Sequence, residues 1–440
     1  MRRSVGRMLA ALLAASLAGG APAKDQAART RAVLQNLDAL WPDLDALYLD
    51  LHAHPELSFQ EEATAAKMAE RLRAAGIEVT TGVGGHGVVG VLRNGAGPTV
   101  LLRTDMDALP VEEKTGLPYA SKVTAKDRTG ATVPVMHACG HDGHMTAWMG
   151  TALLLSRAKD RWHGTVVFVG QPAEEQGGGA AAMLKDGLYT RFPRPDQAIA
   201  IHLNADAPAG IVRFTRGFAL ANVDSVDVTL YGRGGHGAYP QATVDPVVLA
   251  AKVVLALQTV VSRENDPLDP AVITVGSIHG GTKHNIIPDE VKLQLTVRSY
   301  GEDVRKRLLD GITRVIQGEA AASGAPREPV ITVSDGTPAT YNDPALTDRL
   351  VGAVRREIGE DAVVEQRAVM IGEDFSEYGR AGVPAALLWV GAVEPGRYAE
   401  AKKNGTPLPS THSSGFAPDR ERTLRTAIRA EVAMLMELLE

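Results

Sequence analysis

The stretch Val135-Met136-His137-Ala138-Cys139-Gly140-His141-Asp142-Gly143-His144 holds the chain's single cysteine and three of its 12 histidines. Thiolate, imidazole and carboxylate are the groups that hold divalent transition metals, and Gly140 permits a tight turn between Cys139 and His141. A lone cysteine is commonly a small, inert, buried side chain. Flanked by His137 and His141, this one reads as a metal ligand instead. On an extended segment, side chains two apart point to the same side, so Cys139 and His141 can share one site.

Further donors follow apolar runs. Glu174 and Glu175 come shortly after residues 165–169, and His202 directly follows residues 198–201. Hydrolysis at a metal centre needs ligands that leave a position open for water, and a base that takes the water's proton. Cys139, His141, one of the two glutamates, and His202 supply such a set from strand ends. Adjacent carboxylates cannot be oriented identically, which suits one to the metal and the other to proton transfer.

Three other signals carry less. His52-Ala53-His54-Pro55-Glu56 pairs two histidines with no strand end in view and reads as a loop. Gly177-Gly178-Gly179 is followed by no Gly-Lys-Ser or Gly-Lys-Thr, so it is a mobile rim segment rather than a phosphate loop. Tyr231-Gly232-Arg233-Gly234-Gly235 lacks the strand, helix and distal acid of a dinucleotide site. No cofactor beyond metal is expected.

The elements that must position these residues follow from hydrophobic periodicity. Residues 29–51 have helical spacing with a break expected at Trp41-Pro42, and residues 58–75 predict a second helix ending at Gly76. Residues 99–102, 165–169, 198–201 and 385–390 are apolar runs expected to form a buried parallel sheet, with a helix over 145–158 between the first two. In such sheets ligands bind beyond the carboxyl ends of the strands, so the polar residues that follow them converge on one rim. A second unit is inserted after about Gly217. Strands at 225–231, 271–275 and 291–298 and helices at 246–261 and 304–321 give a small α+β lid. The chain then returns to the first unit, with a helix over 346–358. The fold class is therefore α/β, with a mostly parallel central sheet in a catalytic domain of residues 24–217 and 336–440, and a lid of residues 218–335.

Composition agrees with a soluble two-domain chain: 440 residues are 45% hydrophobic. A net charge of -6 from 46 basic and 52 acidic residues, with no long basic run after the N-terminus, argues against a nucleic-acid partner. Arg2, Arg3 and Arg7, the apolar run 8–18 and Ala21-Pro22-Ala23 have the order of an export signal over residues 1–23, through general secretion rather than the twin-arginine route. That run is too short to span a bilayer, so no stable membrane anchor is expected and the location is periplasmic or secreted. In an oxidising compartment a thiolate held by metal is protected.

Five motifs in order carry a resemblance: His137-Ala138-Cys139-Gly140-His141-Asp142, Pro172-Ala173-Glu174-Glu175, Gly234-Gly235-His236, Asn285-Ile286-Ile287-Pro288-Asp289 and Glu373-Asp374-Phe375-Ser376. Together they resemble the metal-dependent amidohydrolases grouped with hippurate hydrolase and the plant indole-acetyl-amino-acid hydrolases. That branch belongs to the aminoacylase and carboxypeptidase metallopeptidase family, and the similarity runs from about Tyr48 to the C-terminus. The resemblance implies that Cys139, His141, Glu175, His202 and His412 bind two divalent metals, with Cys139 bridging them, and that Glu174 is the general base and acid. It gives His236 the carbonyl oxygen of the scissile bond, gives Asn285 and Arg298 a substrate carboxylate, and allows a homodimer through the lid. Arg103-Thr104-Asp105 stands where the wider family has a ligand motif, which leaves Asp105 as an orienting group outside the ligand set. Gln241 and Ser413-Ser414 depart from the family pattern, and those departures bear on substrate range.

The expected activity is metal-dependent hydrolysis of the amide bond of N-acyl amino acids, or of similar carboxylate-bearing amides. A carboxypeptidase or dipeptidase with the same centre is the related alternative. A noncatalytic periplasmic binding protein with a structural metal is the alternative from another class. The glutamate pair argues against it, because a structural site is closed by four ligands and needs no base. The metal is one of Zn, Mn, Ni or Co, since Cys, His and Glu ligands bind several tightly.

Overall fold

Apolar runs too long to alternate are suited to strands covered on both faces, and they form the centre of an eight-stranded sheet. A computed structural model describes residues 20–439 of the chain except Asp335. Apart from its last four residues, the expected export segment lies outside the described residues. The sheet order is Glu78–Val83, Gly87–Asn94, Gly164–Gln171, Thr99–Asp105, Gln197–Pro208, Ala385–Val393, Val212–Phe214 and Val363–Glu365. The four expected strands are its neighbouring central members and run parallel to one another. The sheet is mixed because Gly87–Asn94 and Val212–Phe214 pair antiparallel with this block.

Register brings the polar ends together. Asp105 pairs with Gln171, two residues before Ala173 and the glutamates. Arg103 pairs with Ala200, so His202 lies two residues beyond that rung, and Trp389 is directly opposite His202. The strand bearing His202 runs on to Pro208, so this histidine stands inside a strand rather than at its end.

The helices adjust the expectations. Gly20–Leu34 and Leu37–Ala53 are separated at Gln35 and Asn36, and Pro42 is accommodated within the second helix rather than breaking it. Pro42 lacks an N–H, so one intrahelical hydrogen bond is forgone there. The next helix is Glu62–Ala74, four residues shorter at its start than expected. His141–Arg157 begins four residues earlier than expected, at the metal motif itself.

Two compact units divide the chain. The first comprises residues up to Phe214, Asp343–Gln366 and Val383–Glu440; the second comprises Thr215–Asn342 and Arg367–Gly382. Segment 367–382 was expected with the catalytic domain but clusters with the second unit. Its backbone explains this: Val369 N–H donates to Ala219 O at 3.0 Å, and Ala221 N–H donates to Ile371 O at 3.0 Å.

The second unit is a four-stranded antiparallel sheet, in the order Ala271–Gly280, Glu290–Ser299, Asn222–Tyr231 and Val330–Ser334. The last strand was not foreseen. Burial alternates along Asn222–Tyr231 and Glu290–Ser299, so one face packs on the helices Pro246–Glu264 and Glu302–Ala322. Among the described residues, Pro246–Glu264 alone is long and apolar enough to cross a membrane. Its Leu249, Val253, Leu257 and Val260 lie in this unit's core.

Leu388 is fully buried in the strand that pairs with the His202 strand. Leu388→Ala is expected to lower stability by about 2–5 kcal/mol, read by urea unfolding of the metal-loaded protein; a change within error would remove this strand from the cooperative core.

Candidate metal centre

Gly140 takes φ 87, a left-handed conformation in which the chain turns between Cys139 and the first residue of the helix His141–Arg157. Cys139 and His141 therefore meet across a turn, not along an extended segment. A Cβ at Gly140 would lie 3.0 Å from Leu203 Cδ1, so both the angle and the space call for glycine.

His141 and His202 each have one ring nitrogen committed to a backbone carbonyl. His141 Nδ1–H donates to Asp107 O at 2.8 Å, leaving Nε2 buried with no hydrogen-bond partner. His202 Nδ1–H donates to Leu203 O at 2.7 Å, and its Nε2 lies 3.5 Å from Cys139 Sγ. His412 also has a left-handed backbone, φ 64, and its N–H donates to Ala138 O at 2.8 Å. Its Nε2 is then 3.3 Å from Cys139 Sγ and 3.4 Å from Glu175 Oε1. Ligands held at about 2.0–2.3 Å around one tetrahedral ion stand about 3.3–3.6 Å apart. These spacings match that cage, and Glu175 Oε1 is a second buried atom without a hydrogen-bond partner.

The donors fall into overlapping groups. Cys139, His141 and His202 form one, Cys139, Glu175 and His412 another, and His141, Glu174 and Glu175 a third. Cys139 is common to the first two. His137 belongs to none of these groups among the described residues; it is buried, and burial pushes its pKa down to about 4.

The glutamates are aimed by their backbone. Ala173 has φ 52, a strained angle for a residue with a side chain, at a cost of about 1–3 kcal/mol. Asp107 accepts the Glu174 N–H on Oδ1 at 3.1 Å and the Glu175 N–H on Oδ2 at 3.0 Å. Ser58 Oγ–H also donates to Asp107 Oδ2 at 2.6 Å. Sequence reasoning gave Asp107 no role, although a second acid two residues after Asp105 at a strand exit was its signal. Gly177 to Gly179 fold back on this turn: Gly177 N–H donates to Glu174 O at 2.7 Å, and Gly179 N–H donates to Ala173 O at 3.2 Å.

Several buried titratable groups surround the centre. Asp105 is fully buried, bonded to Arg103 Nη1 at 2.7 Å and to His144 Nδ1–H at 2.6 Å. Burial raises its pKa, but His141, His144 and Arg103 outweigh that and hold it well below the usual carboxylate range. His144 Nε2 accepts the Leu203 N–H at 2.8 Å, so both its nitrogens are used and it orients Asp105. Burial pushes Glu175 up to about 8, against the pull of His141. Burial works against charge on His141, yet Asp105, Asp107 and Glu175 raise it to about 10. Burial keeps His202 and His412 neutral, with their pKa values lowered. The pocket thus concentrates sulfur, nitrogen and oxygen donors, a set that fits a pair of divalent cations.

His52, expected in a loop, is buried in the last turn of its helix. Its Nδ1–H donates to Asp142 Oδ2 at 2.6 Å and its Nε2–H to Glu113 Oε1 at 3.1 Å. Both nitrogens are engaged with carboxylates, so His52 is an imidazolium clamp behind the motif and not a ligand. Lys114 N–H donates to Ser414 O at 2.7 Å, tying the segment that Glu113 belongs to onto the His412 segment.

The remaining predicted site residues lie in the second unit. Gly235–His236 pairs with Ile286–Ile287, and Gly237 N–H donates to Asn285 O at 2.9 Å, so His236 and Asn285 share a small ribbon. Ala238 N–H donates to His236 Nδ1 at 3.0 Å, which assigns the ring proton to Nε2. Arg298 stands on the larger sheet, half-buried, with Nε on Thr296 Oγ1 at 3.2 Å and Nη1 on Met370 O at 3.3 Å. Glu373-Asp374-Phe375-Ser376 also falls in this unit, within 367–382.

An α/β unit with a rim of Cys, His and Glu donors around a shared cysteine, and a smaller inserted α+β unit, defines a metal-dependent hydrolase acting on amide or peptide bonds. The family described as Peptidase family M20/M25/M40 matches residues 101–405, and the chain belongs to it. It is 37% identical over 375 residues to thermostable carboxypeptidase 1 of Saccharolobus solfataricus, covering 84% of this chain and 89% of that one. It is 37% identical over 330 residues to hippurate hydrolase of Campylobacter jejuni, covering 74% of this chain and 82% of that one. A solved Bacillus subtilis structure, described as a dinuclear metal binding peptidase from the M20 family, superposes with a TM-score of 0.73 at 29% identity, over 90% of this chain and 98% of that one.

Burial would lower the pKa of His52, but its hydrogen bonds to Asp142 and Glu113 raise it to about 10. The unfolded value is about 6.5, so this clamp stabilises fully below that pH and is lost as pH rises towards about 10. His52→Gln is expected to lower the thermal midpoint of the metal-loaded protein near pH 6 and to flatten its decline at alkaline pH. An unaltered slope between the two proteins would rule out the clamp.

Proposed function

We propose that this chain is an exported amidohydrolase of the hippurate and indole-acetyl-amino-acid hydrolase branch, cleaving N-acyl amino acids to a carboxylic acid and a free amino acid. The observation that carries the reading is the sharing of Cys139 between two donor groups, with a second glutamate beside them. Glu175 shares a group with Cys139 and His412 as well as one with His141, whereas Glu174 shares none with Cys139, which favours Glu175 as ligand and Glu174 as the proton-transfer group. Two divalent ions held by Cys139, His141, Glu175, His202 and His412 would polarise the scissile carbonyl and acidify a water.

Glu174 takes the proton of the attacking water and later delivers it to the departing amine nitrogen. The Nε2–H of His236 donates to the carbonyl oxygen as negative charge develops there. Asn285 and Arg298 hold the carboxylate of the amino-acid half, for which a guanidinium is suited. The similarity to a carboxypeptidase favours one second reading, in which the acyl group is itself a peptide. Export rests on the order of charge, apolar run and Ala-x-Ala site in residues 1–23.

The test is hydrolysis of a panel of N-acyl amino acids and dipeptides by the purified protein, before and after metal removal and restoration. Metal-dependent turnover favouring N-acyl amino acids is expected, with kcat reduced about 10²–10⁴-fold in Glu174→Gln while metal content stays. Preference for dipeptides would establish the peptidase reading, and saturable binding without turnover in any metal form would end both. Sequencing the N-terminus of the protein from fractionated cells is expected to begin at Lys24; a chain retaining Met1 in the cytoplasm would sink the export proposal.

A further inference from the structure

Among the described residues only three non-glycine positions have left-handed backbone: Phe59 at φ 61, Ala173 at φ 52 and His412 at φ 64. The first two are served by a single atom. Glu61 Oε1 accepts the Phe59 N–H at 2.9 Å and the Ala173 N–H at 2.8 Å. Glu61 is fully buried, and its Oε2 makes no hydrogen bond among the described residues. With Asp107 accepting the next two amides, three successive N–H groups, from Ala173 to Glu175, are held by two buried acids.

We infer that Glu61 is a positioning residue for the glutamate pair, acting through Ala173; the inference rests on the hydrolase reading of that pair. An alanine leaves the left-handed region readily, because its Cβ crowds the backbone there. The bond to Glu61 Oε1 opposes that relaxation. Without it Ala173 returns to negative φ, and the rotation swings the following carboxylates away from the positions that bring them within reach of His141. Glu61 itself makes no hydrogen bond to Glu174, Glu175, Cys139 or any histidine of the centre, so it sets geometry and not chemistry. The same carboxyl sets Phe59, whose half-exposed ring lies beside the rim: a Cβ at Gly178 would be 3.6 Å from Phe59 Cζ. Burial and the neighbouring Asp107 charge push Glu61 up to about 7, so a neutral amide oxygen is an acceptable replacement for the acceptor.

The experiment compares Glu61→Ala, Glu61→Gln and the double variant Glu61→Ala/Ala173→Gly on the amide that the wild type hydrolyses fastest, reading kcat, KM and bound metal. Glu61→Ala is expected to lower kcat about 10²-fold, the scale of a 1 Å misplacement, with KM and metal content little changed. Glu61→Gln should restore most of the loss. Ala173→Gly should relieve the Glu61→Ala defect, because glycine adopts this φ unaided. If Glu61→Ala does not fold, Glu61→Asp replaces it: its carboxyl is one methylene short of the two amides, and the same relief by Ala173→Gly is expected. Wild-type kcat in the Glu61 variant, or a defect that Ala173→Gly leaves untouched in folded, metal-loaded protein, would overturn the inference alone. Absence of turnover by the wild type on every amide would overturn the hydrolase reading and this inference with it.

Discussion

Burying several carboxyl groups and a cysteine together is the constraint on which the rest of this structure depends. Asp105, Asp107, Glu175 and Cys139 crowd around His141 where water cannot screen them, and in such a setting unpaired charge is expensive. The chain meets this in layers. Arg103 neutralises Asp105 and His144 hydrogen-bonds it from behind, backbone amides and Ser58 occupy Asp107, and His52 occupies Asp142. The atoms left over, His141 Nε2 and Glu175 Oε1, are those that a cation would satisfy. A protein optimised for stability alone would not leave them.

The scaffold explains how such a cluster is held open. Four neighbouring parallel strands bring together donors distant in sequence: His202 stands within one, the glutamates just beyond another, and Cys139 and His412 on turns beside them. Fine aim comes from local strain. Gly140 turns the chain between two donors, and the left-handed backbones of Ala173 and His412 sit beside or at others. Strain gathered at a functional site, opposed by hydrogen bonds from buried side chains, is a common division between stability and function. The second unit follows another rule: an antiparallel sheet packs one face on two helices and alternates buried with more exposed residues along its strands.

Much of this was legible in the chain. Apolar runs longer than any alternation located the central strands, because a strand covered on both faces has no polar side to show. Clustered Cys and His located the metal motif, because few structural roles need both types so close. The expected lid was 218–335, whereas the second unit runs Thr215–Asn342 and also takes in Arg367–Gly382. The attachment of this last segment depends on backbone hydrogen bonds to residues 219–221, and backbone bonding leaves no trace in side-chain pattern. His412 was reached only through family resemblance, since a histidine in a polar loop has no local signal.

By itself, then, the sequence determined the types of chemistry available: which side chains can hold a metal, which can move a proton, and which stretches must be interior. Hydrophobic period and side-chain identity are local properties, readable without knowing what lies opposite. Only the tertiary structure decided which of those groups are left free to act. His144 and His52 carry the same imidazole as His141, and it is Asp105, Leu203, Asp142 and Glu113, brought from far along the chain, that occupy their nitrogens. Whether a donor is spent or available depends on its partner across space.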